Sequence, residues 1–474
     1  MLLLFVILYL VATVLVGWWA SKFVKNTSDF VVAGRQMPLI VVATGLFATW
    51  FGSETVMGAS AEFLDKGILG IIEEPFGAAL CLLLVGMFVA RPLYKKNLLT
   101  FSDYFLERFS QRAELVSAIM VVPSYFSWIA AQLVALALIL KTLIMGALHY
   151  DMSLAVGIFI CAIIVMFYTY IGGMWAVSVT DFFQTIMIIG GLAIILWSVL
   201  GDAGGYQHVI DQQPEGFFNV LPETTRHGWI EYIAAWITVG FGSIPQQDVF
   251  QRVMSAKSER AAVWGTYTAA FMYLTIACIP LMIALCGKVL YPELLAGDKQ
   301  NLLPEMVLQH SSVFLQIMFF GALLSAILST ASGAVLAPAT VIGENIIRPY
   351  FNNLTDKDIL RFMRMSVIAV TLISATMASI STNIYELVGQ SSALSLVCLF
   401  VPLMCGLYWK KASDLGALLS MTLGLFIWLY ALIGGSDETT GVPPIFYGLG
   451  ASVIGMLFGT YVAPRNIEDI KSDN

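Results

Sequence analysis

Glu54 is the residue that most needs a physical reason. It lies in "FATWFGSETVMGAS" (47–60), inside an apolar run from 37 to 63 that is long enough to cross a membrane. A carboxylate in hydrocarbon costs at least ~2.5 kcal/mol even on lenient insertion scales. Ser53 and Thr55 flank it, with Gly52 and Gly58 close by. A helix broken here frees backbone carbonyls, which coordinate a cation where they line a cavity. The second polar group is the hydroxyl stripe of "ALLSAILSTASGAVLAP" (322–338). Ser325, Ser329 and Ser332 fall at i, i+4 and i+7 on one helix face, with Thr330 beside Ser329. Two hydroxyls and a few freed carbonyls make an oxygen cage for Na⁺. The alternative use of the stripe is bonding to a neighbouring helix or back to the i−4 carbonyl. Asp181, in "GGMWAVSVTDFFQ", is a third intramembrane group. It is a second cation ligand, a proton site or, with Thr180, a helix-start cap.

Around these lie groups suited to a solute: Glu54 itself, Glu74 (after Glu73 and before Pro75), Gln246, Trp50, and Trp128 with Tyr125 one turn earlier. An indole face attracts a cation through its quadrupole. A desolvated carboxylate favours a cationic group or a polyol that donates hydrogen bonds. The set points to an amine, a betaine-like solute or a hydroxyl-rich one. The competing reading is that each acid is protonated or bonds a neighbouring helix. The four histidines are scattered, and the six cysteines lie in apolar runs without metal-like spacing, as small core hydrophobes. No nucleophile–base set assembles, so the sequence excludes an enzyme and calls for no organic cofactor.

These groups need a membrane scaffold. Of 474 residues, 59% are hydrophobic and 12% charged, about half the charge of a soluble domain. No basic, aromatic-rich patch suggests nucleic acid, and no obligate protein partner is indicated. Thirteen spans are predicted, near 2–24, 37–63, 67–92, 114–145, 151–170, 178–200, 228–246, 262–287, 311–346, 364–383, 385–408, 413–434 and 443–463. With the N-terminus outside, alternate loops divide the 24 Lys and Arg as 19 inside and 5 outside, as the positive-inside rule requires. The loop after 246, with Arg252, Lys257 and Arg260, belongs to the inner set. The C-terminus is then inside. The short tails suit a bacterial inner membrane.

The span at 37–63 breaks at "FGSETVMG", and that at 228–246 ends in "VGFGSIPQQD". Five spans separate their starts, so they enter the membrane from opposite sides. This predicts an inverted pair of five-helix repeats with a binding site at the midplane. The expected division is an extra helix and inner loop (1–36), the first repeat (37–200), an outer loop (201–227), the second repeat (228–408), and two final helices with a short tail (409–474).

At "YTYIGGMWAVSVTDFFQ" (168–184), "GSIPQQDVFQRVMSAKS" (242–258) and "ALLSAILSTASG" (322–333) the chain resembles the sodium:solute symporters, which carry sugars, proline, sialic acid and choline. The resemblance implies a LeuT-like five-plus-five core and secondary active Na⁺ symport by alternating access. It further implies a Na⁺ site at the carbonyls of Ala48 and Phe51 with Ala326, Ser329 and Thr330. Some members bind a second Na⁺ at the positions of Asp181, Ser332 and the next residue; here that residue is Gly333, so one Na⁺ is expected. Acids at the positions of Glu54 and Glu74 resemble the sugar carriers. Trp50 and Trp128 resemble the aromatic cage of the choline carriers, whose third tryptophan matches Gln246. Proton coupling through Asp181 or a cavity carboxyl, and a non-transporting sensor on the same fold, are the alternatives. The intact Ser329–Thr330 pair favours Na⁺.

Overall fold

The computed structural model describes residues 2–351 and 354–465, and among these the regular structure is helical apart from one isolated bridge, Met37 to Ala256. The final segment of the tail lies outside the described residues. Helix α1 is Leu2–Ala20. Helix α2, Leu39–Trp50, stops at Phe51 (φ −79°, ψ 73°). A π turn, Glu54–Gly58, restarts it, and α3 continues over Ala59–Lys66. Segment 67–94 is helical but interrupted, with non-helical backbone at Glu74. Then come α4 (Gln111–Leu148), α5 (Leu154–Asp202), α6 (Arg226–Gly242), α7 (Gln247–Ser255), α8 (Glu259–Ile276) and α9 (Cys278–Leu290). They are followed by α10 (Val313–Val341), α11 (Asp356–Ala378), α12 (Ile384–Ser395), α13 (Asp414–Ile433) and α14 (Pro444–Val462).

Local chemistry explains many of the starts. Ser110, Ser153, Ser258, Ser312 and Ser413 each accept an N–H of the first turn of the following long helix. Thr355 and Asp358 form a reciprocal capping box for α11. Nine helical stretches among the described residues are long and apolar enough to cross a membrane. Leu4–Ala20, Leu39–Trp50 and Leu154–Phe167 are shorter apolar helices. Apolar residues such as Trp197 and Ile433, both 85% exposed, face outward, where lipid would cover them. Cys278 is among the exposed residues, unlike the core position expected for it; Cys81, Cys161, Cys286 and Cys398 are buried.

Two departures from expectation bear on the site. Helix α5 is two helices joined at a kink at Gly173 (φ 53°, ψ −157°), where a Cβ would lie 2.4 Å from the Phe30 ring. The helix restarts there and not at Thr180, so Asp181 sits two turns inside and is no helix-start cap. The second departure is α7. The predicted inner loop after 246 is a helix, and every residue of Gln247–Ser255 is buried. A second broken helix is therefore α6–α7, with Ser243–Gln246 between its halves. Asp248, Gln251 and Arg252 each find a hydrogen-bond partner within the protein, while Gln251 Oε1 and Arg252 Nη2 are left without one.

Candidate functional site

The break in α2 strips carbonyls of their amide partners. The Gly52 N–H turns back to the Trp50 carbonyl (2.9 Å), and the Ser53 N–H goes to Gln132 Oε1 (3.0 Å). A continuing helix would have given these amides to Ala48 and Thr49. The Ala48 carbonyl instead meets the Thr330 hydroxyl at 3.4 Å, and that hydroxyl also bonds the Ala326 carbonyl at 3.1 Å. Ala48, Ala326 and Thr330 thus present oxygens to one another between α2 and α10. Phe51, fully buried, is the residue at which the backbone leaves the helix. Ser329, next to Thr330, donates to Asp181 Oδ1 (2.5 Å). These groups are neutral oxygens beside a carboxylate, a donor set that suits a hard monovalent cation.

Ser332 spends its hydroxyl on the Ser329 carbonyl (3.0 Å). The space near Asp181 is taken by Arg252, which is 3% exposed and lies 3.5 Å from Asp181 Oδ2. Its Nε donates to the Gly45 carbonyl (3.0 Å) and Nη1 to the Asp248 carbonyl (3.1 Å). A Cβ on Gly333 would stand 2.6 Å from Arg252 Nη2. Gly333 therefore makes room for a guanidinium that carries the positive charge at this acid. Ser325, the remaining member of the stripe, bonds Tyr9 (2.6 Å) and the Gly321 carbonyl (2.6 Å), away from the break.

All five sequence-predicted solute residues line one cavity: Trp50, Glu54, Glu74, Trp128 and Gln246, joined by Val239, Ser243, Val388, Ser391 and Ser392. None of the ten is basic. Glu54 accepts Trp128 Nε1–H at Oε1 (2.9 Å) and Gln132 Nε2–H at Oε2 (2.7 Å). Glu74 accepts the hydroxyls of Thr55 (2.6 Å) and Tyr273. The Tyr273 hydroxyl also lies 2.8 Å from the Trp50 carbonyl, so it sits between Glu74 and the break. Gln246 reaches Ser391 at 3.5 Å. The void is about 20 Å³, room for a water molecule. A larger cavity, about 790 Å³, lies elsewhere, between the end of α4 near Lys141 and the segment around Asn301 and Glu305.

Sequence reasoning missed Gln132, Tyr273, Arg252 and Asp248. Asp248 accepts Trp50 Nε1–H (2.8 Å) at one oxygen and Tyr125 O–H (2.5 Å) at the other. A signal existed for Gln132: with Tyr125 and Trp128 it falls at i, i+3 and i+7, one helix face. Asp248 and Arg252 are likewise four apart in a motif singled out for another reason.

A family model described as "Sodium:solute symporter family" matches residues 30–424. The high affinity choline transporter 1 of Homo sapiens is 27% identical, over 93% of this chain and 78% of that protein. The osmoregulated proline transporter of Bacillus subtilis is 24% identical, over 97% and 94%. The sodium/glucose cotransporter of Vibrio parahaemolyticus is 23% identical, over 88% and 82%. Among solved structures, a substrate-bound outward-open Na⁺-coupled sialic acid symporter shares the fold at a TM-score of 0.81 and 20% identity, covering 98% of each chain. A nucleobase-cation-symport-1 family transporter in a closed conformation matches at 0.61 and 14%.

Proposed function

Because the chain belongs to the sodium:solute symporter family, we propose that it couples one Na⁺ to the uptake of a small amine or betaine-like solute by alternating access. The observation that carries the solute class is the cavity lining: two indoles and two acidic side chains with no basic side chain. Such a lining attracts a cationic head and repels an unescorted anion. The Na⁺ assignment rests on the freed Ala48 carbonyl facing Thr330, with Phe51, Ala326 and Ser329 completing the set. Asp181 and Ser332 do not serve a second Na⁺ in this reading, because Arg252 supplies the charge there. Thirteen crossings, an outside N-terminus and a plasma-membrane setting complete it. The five-helix repeats are 37–200 and 228–408, between the extra helix (1–36), the outer loop (201–227) and the C-terminal pair with its tail (409–474).

Na⁺ adds its binding energy to the state in which α2 and α10 are held together. By linkage the solute then binds more tightly with Na⁺ present, and the converse holds equally. The test is thermal stabilisation of the purified protein in NaCl against KCl, with choline, glycine betaine, amino acids, sugars and sialic acid as additives. An amine or betaine that stabilises only with Na⁺ is expected. A sugar or sialic acid doing so removes the solute class. Stabilisation that ignores Na⁺ but shifts with pH replaces the Na⁺ with a proton.

A further inference from the structure

Asp248 has no role in the Na⁺ or solute sites as described, yet it is 1% exposed and fully engaged. One carboxylate oxygen fixes the Trp50 indole and the other the Tyr125 hydroxyl, and the Asp248 N–H donates back to the Tyr125 oxygen (2.9 Å). Trp50 is the indole on the broken helix. Tyr125 lies beside Trp128, the second indole, with ring centroids 5.9 Å apart and the planes tilted by 35°. So one buried acid sets the tilt of the first ring and the backing of the second. One helical turn on, Arg252 bonds the Asp248 carbonyl and faces Asp181, which accepts from Ser329. The contacts run from the cavity wall to the residue beside Thr330, with the Arg252–Asp181 ion pair at 3.5 Å as their longest joint.

We propose that Asp248 is a positioning residue that couples the two sites: through Arg252 and Asp181 it transmits the arrangement around Ser329 to the Trp50 ring. This rests on the Na⁺ site proposed above. The physical ground is that each joint is a buried hydrogen bond or, between Arg252 Nη2 and Asp181 Oδ2, a buried ion pair at 3.5 Å whose two atoms have no hydrogen-bond partner, so that charge attraction ties their positions together. Movement of Ser329 toward a bound cation shifts the acceptor that Arg252 faces, and Arg252 shares a helix turn with the carboxylate that holds Trp50.

The test uses the full chain with 5-fluorotryptophan, the Trp50 ¹⁹F resonance being the one absent from Trp50→Phe. In the wild type, NaCl but not KCl is expected to shift this resonance, with the same midpoint as Na⁺-dependent thermal stabilisation. In Asp248→Asn the shift is expected to vanish while the thermal midpoint stays within about threefold, because the amide cannot accept from both donors. Absence of any Na⁺ stabilisation in the wild type sinks the Na⁺ site itself. Stabilisation with a motionless Trp50 resonance, or a wild-type shift in Asp248→Asn, overturns the relay alone. Should Asp248→Asn not fold, Tyr125→Phe, which releases one carboxylate oxygen, is read in the same way. A weakened shift supports the relay and an undiminished one overturns it.

Discussion

Thr330 and Glu54 separate the two ligands at the level of single atoms. The Thr330 hydroxyl is the side-chain oxygen that faces the freed Ala48 carbonyl, and its contacts go to the Ala48 and Ala326 carbonyls, neither of which belongs to the solute cavity lining. Removing one neutral oxygen contact costs about 1 kcal/mol or somewhat more. Thr330→Ala should therefore raise the half-saturating Na⁺ concentration for uptake by roughly tenfold, with maximal uptake kept at high Na⁺. An unchanged Na⁺ dependence would remove Thr330 from the site. Glu54 is the opposite case. Its two oxygens are held by Trp128 and Gln132, so the carboxylate is oriented before any solute arrives. Glu54→Gln keeps the volume and loses the charge. The solute KM should rise on the order of ten- to a hundredfold, the range for a lost charged hydrogen bond, while Na⁺ stabilisation persists. If Glu54→Gln transports like the wild type, the acid is a structural strut between α4 and the broken helix.

The break itself is the element that joins these atoms. A Cβ at Gly52 would lie 2.6 Å from Thr330 Oγ1, 2.7 Å from Glu54 Oε2 and 2.8 Å from Gln132 Oε1. Gly52→Ala should thus abolish both Na⁺-dependent and solute-dependent stabilisation while circular dichroism still reports a helical protein. Retention of either response would mean that α2 and α10 part easily. This break was legible in the sequence, because glycine and small polar residues around a lone acid have few other readings inside an apolar run. The cavity lining was legible for a related reason: acids and indoles in a membrane core must face something. Helix α7 was not. Asp248, Gln251 and Arg252 read as a charged loop, since composition registers polarity but cannot register that each group finds an internal partner. The role of Asp181 also lay beyond sequence reasoning, since the restart of α5 depends on a positive φ at Gly173 packed against Phe30, a contact between distant segments.

At the scale of the molecule, a void of about 20 Å³ cannot hold an organic solute, so transport requires the packing on each side to separate in turn. On one side Gln300 bridges, accepting from the Ile384 N–H (2.8 Å) and donating to the Thr382 carbonyl (3.3 Å), beside the Lys299–Asp65 ion pair. On the other, Gln247 accepts the Phe101 N–H (2.6 Å) and Arg35 donates to the Leu98 carbonyl (2.6 Å). What drives the cycle is then a matter of charge. Arg252 is part of the protein and returns with it, so it carries nothing net across, whereas a second Na⁺ at Asp181 would. One Na⁺ with a monovalent cationic solute moves two charges, worth ~4.6 kcal/mol at 100 mV and enough for accumulation on the order of a thousandfold. The reversal potential in proteoliposomes measures this count directly. A tenfold change in the Na⁺ gradient should shift it by about 30 mV for one Na⁺ and two charges. About 40 mV would signify two Na⁺ with a cation, and would mean that Arg252 leaves Asp181 during the cycle. About 59 mV would signify a solute without net charge, whatever the number of Na⁺, and would move the solute from amine to betaine.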